Sequence, residues 1–267
     1  VLEAGLDYFT YRMILNSDEP EHKKAKGKVL KERFALPPRT SVWETISQRP
    51  PHEAQRPVLT NLGYFYSDKF KSGGSFRFRP AFYDLISPDA GRPTLSSLSV
   101  FDLELNFNDK RLWLQKFNFM SVESLNISKT GLKHDGGLAW RFRLGAEQIN
   151  ITCNTCTVPL FEAGVGKAWE LSRSFAFYAM VDPRIQSEYK KYGHLAVTPN
   201  IGALITLSED VRFHTFGGRR FYLNKDNIKE DIFSLEGRFG SSRTWDVRLG
   251  YQNHVDQRYS LGFGYYW

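Results

Sequence analysis

The chain has 267 residues, a formal net charge of +7 and a mean hydropathy of -0.43. No apolar run approaches the ~20 residues that a membrane-spanning helix needs, so a helical membrane protein is excluded. A membrane β-barrel is not excluded, because its alternating strands average to a soluble-looking hydropathy. Aromatic side chains make up 15% of the chain, which is high for a soluble enzyme and typical of a barrel with two aromatic girdles.

Residues 1–36 are predicted to form a periplasmic helical segment. The apolar residues that recur at helical spacing are Leu2, Leu6, Phe9 and Met13. A second, lysine-rich helix is expected from Glu21 to Ala35, before two prolines. This helix holds much of the positive charge and no nucleic-acid module accompanies it, so nucleic acid is not an expected partner. We favour a hairpin packed on a neighbouring domain; a plug or collar at a barrel mouth, or contact with anionic lipid phosphates, are alternatives.

Residues 37–57 are predicted to be a proline-rich linker, and in residues 58–267 the apolar period changes from helical to two. Phe101 and Leu103, for example, alternate with Asp102. This period predicts an all-β domain, namely a transmembrane antiparallel β-barrel of about twelve strands. The short helical segment would precede it.

The polar face of the strands indicates which side of the wall meets lipid. It carries arginine interspersed with carboxylates, and the planar guanidinium pairs well with carboxylates in a confined space. The other face carries more Phe and Trp than a closed soluble barrel of this size can hold. We therefore predict rings toward lipid and charges toward the lumen. The predicted lumen network comprises Arg77, Arg79, Asp102, Glu104, Arg141, Arg143, Glu147, Arg212, His214, Glu236, Arg238, Asp246 and Arg248.

The final strand ends the chain on an aromatic residue. Its alternate apolar positions are Tyr259, Leu261, Phe263, Tyr265 and Trp267. This ending resembles the C-terminal signal of bacterial outer-membrane barrels, so we predict that the strand closes a barrel in that membrane. The last strand of a soluble barrel or sandwich is the alternative.

Link lengths support a barrel with short periplasmic turns and longer outer loops, because short and longer links alternate through the second half. An even strand number places both ends of the barrel in the periplasm. Two links break the pattern. Residues 108–110 are tight where an outer loop is expected, and residues 85–96 are long where a turn is expected.

The only cysteines, Cys153 and Cys156, are predicted to form a disulfide in an outer loop; half of a zinc site or a redox motif are alternatives. No histidine pair has metal-binding spacing and no catalytic motif occurs, so no metal or cofactor is predicted. His254 and Ser260 are the one pair that could form a lipid-modifying catalytic site. Such a site also needs an orienting group, and Asn253 and Asp256 are nearby. His194 and His214 could face the lumen together.

The chain resembles the C-terminal barrel region of bacterial envelope proteins that carry an Lnb-type N-terminal periplasmic domain. The resemblance lies in LDYFTYRM, KERFALP, FRFRPAFYDLISPDAGRPTLSSLSVFDLEL, LQKFNFMSVESLNI, GLAWRFRLG and the aromatic end. It implies that residues 1–36 are the tail of an upstream domain and that the barrel anchors it. Because the chain opens on Val1 without leader features, we expect it to be part of a longer protein.

The sequence therefore predicts an outer-membrane barrel that anchors a missing N-terminal periplasmic domain, with no enzyme activity expected in this fragment. A narrow pore for small anionic solutes and a lipid-modifying enzyme are the alternatives. A packed lumen is preferred to an open one because both charges are interspersed. The expected partners are outer-membrane lipid, the barrel-assembly machinery and the N-terminal domain of the same chain.

Overall fold

The structure is a computed structural model that describes most of the chain. Within the ranges given next, the side chains of Pro51 and Phe82 are left out. The described residues are 1–15, 20–37, 51–89, 92–128, 136–149, 156–189, 192–223, 228–240 and 243–267. Two compact units are present, residues 1–47 and residues 48–267. Most of the predicted linker, residues 38–50, lies outside the described residues.

The first unit contains two helices, α1 (Leu2–Leu15) and α2 (Pro20–Ala35). They contact each other through an ion pair in which Arg33 Nε lies 2.5 Å from Glu3 Oε1. No side chain of either helix is buried. Among the described residues, no helix has the length and apolar character needed to cross a membrane.

The second unit is a closed antiparallel barrel, entered through a short 3-10 turn at Pro51–Glu53. Its strands are β1 (Leu59–Ser67), β2 (Lys71–Arg79), β3 (Ala81–Tyr83), β4 (Ser96–Phe107), β5 (Leu112–Ser124), β6 (Ala139–Gln148), β7 (Thr157–Ser172), β8 (Phe175–Gln186), β9 (Leu195–Thr206), β10 (Val211–Tyr222), β11 (Lys229–Phe239), β12 (Trp245–Asn253) and β13 (Gln257–Tyr266).

Closure of the ring comes from the pairing of β1 with β13. Strands β2 and β3 both pair with β4, so they count as one strand of a 12-strand barrel. The interruption falls at Pro80, which has no N–H to donate to the ladder. The predicted fold class is confirmed.

The two faces of the wall differ in polarity. On β13, Tyr259, Leu261, Phe263 and Tyr265 are exposed on the outside, whereas Tyr266 is fully buried inside. An apolar outer face around a polar interior is the arrangement of bacterial outer-membrane barrels, and the chain belongs in that membrane. The aromatic rings do not all face outward.

An inner aromatic cluster is the exception to outward-facing rings. Phe65, Phe70 and Trp113 are buried together inside the wall. The Phe70 and Trp113 rings stack with centroids 4.8 Å apart. Phe65 lies two residues before Ser67 on β1, so both side chains point to the same face. The register of β1 makes that face the lumen.

Irregular pairing between β4, β5 and β6 changes which residues face the lumen. The β5–β6 register shifts between Asn118 and Met120, so Phe119 and Met120 are both exposed toward lipid. Phe101 has a φ of 55° and packs edge-on against Phe119, with ring centroids 5.0 Å apart. As a result, Asp102 and Asn118 face each other across the strands, and both are buried inside.

The two ends of the barrel are different. The terminal end, where Leu59 pairs with Tyr266, carries short turns in the second half of the chain; the opposite end, the loop end, carries mostly longer links there. The backbone N–H of Val58 donates to the Trp267 carbonyl at 3.3 Å, so the barrel is entered and left at the terminal end. The long link from β3 to β4 also lies at this end and folds into the barrel.

Opposite faces of β12 give the first test. Leu249→Arg places a charge in lipid and is expected to lower the free energy of unfolding by about 2–4 kcal/mol. Gln252→Arg is the matched control, because Gln252 lines the lumen, where the charge meets water and carboxylates. Urea unfolding of protein refolded into lipid vesicles measures both. Equal losses would contradict the assignment of faces.

Candidate functional site: the barrel lumen

All residues of the predicted lumen network lie on the inner face, where they form several groups. The Asp102 carboxylate is the centre of the first. It accepts two hydrogen bonds from Arg77, each 2.8 Å, and one from Arg79 at 3.0 Å. The Asp102 side chain is 1% exposed, so both guanidinium groups neutralise a carboxylate that has almost no contact with water. Beside it, Glu104 pairs with Arg258 at 3.5 Å.

Asp246 is the centre of a second group near the terminal end. Its Oδ2 accepts hydrogen bonds from Arg238 Nε at 2.8 Å, Arg248 Nε at 3.1 Å and the Tyr266 hydroxyl at 2.6 Å. The side chains of Asp246 and Arg238 are fully buried. Arg248 also donates to Glu236 at 2.8 Å, so the group joins β11, β12 and β13 from the inside.

A third group lies farther around the ring, on β5, β6 and β8. Arg141 donates to Glu123 at 2.8 Å and to Asp182 at 3.1 Å. Its guanidinium lies over the Tyr178 ring, 5.5 Å from the centroid. The Tyr178 hydroxyl is 2.9 Å from His214 Nε2, which gives His214 a partner inside the lumen.

A fourth group is built around Glu147, toward the loop end. Glu147 pairs with Arg143 at 2.6 Å and with the fully buried Arg184. Arg220 Nη1 lies 3.0 Å from His254 Nε2 and 3.6 Å from Glu230. Glu147 therefore meets more than one cation.

The link between β3 and β4 folds inward and closes the terminal end; residues 84–89 and 92–95 are called the plug. Its tip, Leu85 and Ile86, is buried in an apolar cluster with side chains of several strands. The wall members of that cluster are Ala139, Ala168, Ala176, Tyr178, Met180 and Leu204. They belong to β6–β9, across the ring from β3, so the plug crosses the lumen.

Arginines of the wall hold the plug. Arg212 Nη1 donates to the Ser87 carbonyl and Nη2 donates to Asp89, each at 2.9 Å. Arg248 donates a very short hydrogen bond to Asp84, and Arg79 lies 3.8 Å from the same carboxylate. Arg212 on β10 and Arg248 on β12 thus hold a segment that starts at β3.

A cavity remains on the loop-end side of the plug, with a volume of about 340 Å³. A second cavity of about 130 Å³ adjoins it, since both are lined by His214, Ser234, Gln252 and Arg258. The larger cavity has polar and charged walls, with aromatic contributions from Phe65 and others. Its size suits a small solute or a group of water molecules.

Sequence comparison identifies the family of this barrel. A family model described as a domain of unknown function, DUF7840, matches residues 48–267. The chain belongs to the DUF7840 family. The match coincides with the barrel unit and does not bear on an Lnb-type upstream domain. No curated protein matches the chain.

Solved structures similar to the DUF7840 barrel include outer-membrane porins and channels. The KdgM porin in complex with disordered oligogalacturonate matches 79% of this chain and 99% of its own, at 8% identity and a TM-score of 0.47. The NanC porin matches 78% and 97%, at 9% identity and a TM-score of 0.46. An outer membrane channel from Pseudomonas putida F1 matches 86% and 99%, at 9% identity and a TM-score of 0.45. Likeness at this level carries no argument about what the DUF7840 barrel conducts or binds.

The lipid-modifying pair is not assembled in the DUF7840 barrel. His254 Nε2 contacts Arg220, and the Ser260 hydroxyl donates to the Gly250 carbonyl at 3.5 Å. Both residues line lumen cavities, whereas the hypothesis requires the lipid-facing surface. The structure therefore contradicts that alternative.

His194 and His214 do not face the lumen together. His194 lies in the link before β9, where Nε2 is 2.9 Å from Glu188, while His214 contacts Tyr178 within the lumen. Cys156 is disulfide-bonded, but Cys153 lies outside the described residues, so their pairing stays a prediction. The described residues contain no cluster of three or more His, Cys, Asp or Glu able to hold a metal ion.

Several lumen residues were not identified from the sequence. They are Asp84, Glu123, Glu162, Asp182, Arg184, Arg220, Glu230 and Arg258. Strict alternation along β7 and β8 would have found Glu162, Asp182 and Arg184. Each belongs to the series of every second residue that is buried and faces inward. Nothing local marks Asp84, because it lies in a link and reaches the network only when the plug folds inward.

Removing the Asp102 carboxylate tests the buried network. Asp102→Ala leaves two arginines without their shared anion and is expected to lower the free energy of unfolding by roughly 3–5 kcal/mol. Asp231→Ala is the control, because its pair with Arg219 is exposed on the outer surface and is expected to contribute little. Urea unfolding in vesicles measures both. A loss at Asp102 no larger than at Asp231 would show that the lumen pairs are solvated.

The stabilisation that the Asp84 carboxylate gives to the plug should be lost at low pH. Burial raises the pKa of the Asp84 carboxyl, but Arg248, the Ser87 hydroxyl and Arg238 outweigh it and hold the pKa at about 2. The unfolded value is about 3.9, so the stabilisation is complete above roughly pH 4 and is lost as the pH falls toward 2. The difference in unfolding free energy between wild type and Asp84→Asn should be constant above pH 5 and shrink below pH 4. A difference that shrinks between pH 8 and 5 would contradict this assignment.

Proposed function

We propose that the DUF7840 barrel is a narrow outer-membrane channel for small polar solutes, closed in this conformation by the plug. The cavity of about 340 Å³ carries the proposal. Barrels of about eight strands are filled by side chains and those of sixteen or more leave a channel, so twelve strands permit either outcome. Here the wall leaves polar space on the loop-end side, and the plug supplies the closure that the wall alone does not.

The charges around the cavity support small polar solutes rather than anions in particular. Its cationic side chains are Lys116, Arg141, Arg143, Arg220 and Arg258. Its acidic side chains are Glu123, Glu147, Glu162, Asp182 and Asp256. Equal numbers of the two signs, largely paired with each other, give no net field to select an anion.

A membrane anchor for an upstream periplasmic domain is the second candidate. Its support is the separate helical unit that precedes the barrel, together with the resemblance to envelope proteins with an Lnb-type N-terminal domain. In that function the plug would be a permanent filling, and the arginine network would serve only to stabilise the barrel.

Conductance of purified protein in planar lipid bilayers decides between the two. Replacing residues 85–94 by a short Gly-Ser link is expected to give stable current steps, with similar permeabilities for K⁺ and Cl⁻. Heat-modifiable migration on a gel confirms that the variant is folded. A folded variant that carries no current would reject the channel and leave the anchor.

A further inference from the structure

Building on the proposed channel, we propose that the plug is a displaceable gate and that Arg212 is the latch that keeps it shut. Two features of the structure support displacement of an intact segment over permanent filling. They are the internal bracing of the plug and the position of the latch.

The plug is braced by its own residues. Arg92 donates to the carbonyl of Asp84 at 2.8 Å and to that of Pro88 at 2.6 Å. The Ser87 hydroxyl donates to Asp84 Oδ1 at 2.8 Å. Because these hydrogen bonds lie within the segment, they survive when it leaves the wall. The plug is therefore built to move as a unit and does not have to unfold.

The two partners of the latch ion pair differ in exposure. The Arg212 side chain is 9% exposed, whereas the side chain of its partner Asp89 is 51% exposed. Dissolved ions or a cationic group at the terminal end can therefore compete for Asp89 without first entering the barrel. Arg248 holds Asp84 deeper in the lumen, so release begins at Asp89.

A cysteine reporter measures plug position independently of current. Ile86→Cys places a thiol at a site that is 2% exposed, while the native Cys156 is already disulfide-bonded. In this background, Arg212→Gln and Asp89→Asn are expected to raise the rate of maleimide labelling by roughly tenfold, since each removes a charge-assisted hydrogen bond. Channel open probability in planar bilayers should rise in parallel.

Arg219→Gln is the matched control. Arg219 lies on the same strand as Arg212 and pairs with Asp231 at 2.5 Å, but it is on the outer surface, away from the plug. It should leave both labelling and open probability at the wild-type level. Asp89→Asn guards against misfolding of the Arg212 variant, because the Asp89 side chain is exposed.

The outcomes separate the gate from the channel. If the thiol introduced by Ile86→Cys stays protected in both latch variants while the variant lacking residues 85–94 conducts, the gate is rejected and the channel stands. If labelling rises but no variant conducts, the plug moves and the channel is rejected. A rise in labelling for Arg219→Gln as large as for Arg212→Gln would remove the special role of Arg212.

Discussion

A charged side chain on the inner face of this wall has to find its partner within the barrel, because the outer side is hydrocarbon. Removing water from a single ion pair costs about as much as the pair returns. The structure meets this constraint by giving the most deeply buried carboxylates several donors. Asp246 accepts from two arginines and a tyrosine, and Asp102 from two arginines. The result is a network across strands that fixes the shape of the lumen.

The same requirement connects the plug to the wall. Arg212 and Arg248 face the lumen from β10 and β12, and each uses part of its donor set on the plug. Their carboxylate partners Asp89 and Asp84 belong to a link, so the wall is not electrostatically complete without that link. This is why a long connection at the end where short turns are expected folds inward, and closure of the terminal end follows from it.

The fold could be predicted from the sequence because a two-residue period is a local property. The alternation from Tyr259 to Trp267, at the end of the chain, indicates both a strand and a lipid-facing surface. The failures are non-local. Arg212 and Ser87 are 125 positions apart, and no pattern in either segment indicates their contact. The irregular pairing near Phe101 and Phe119 breaks the alternation for a similar reason, since a bulge is defined only by the neighbouring strand.

Glycines on the inner face make room for two of the buried carboxylates. A Cβ at Gly264 would collide with the Asp246 carboxylate, and one at Gly164 would collide with that of Asp182. Small residues therefore make the room in which buried acids meet their arginines. At the terminal end this room is filled by the Asp246 group and the plug. Toward the loop end the paired side chains leave larger gaps, and the cavity remains there.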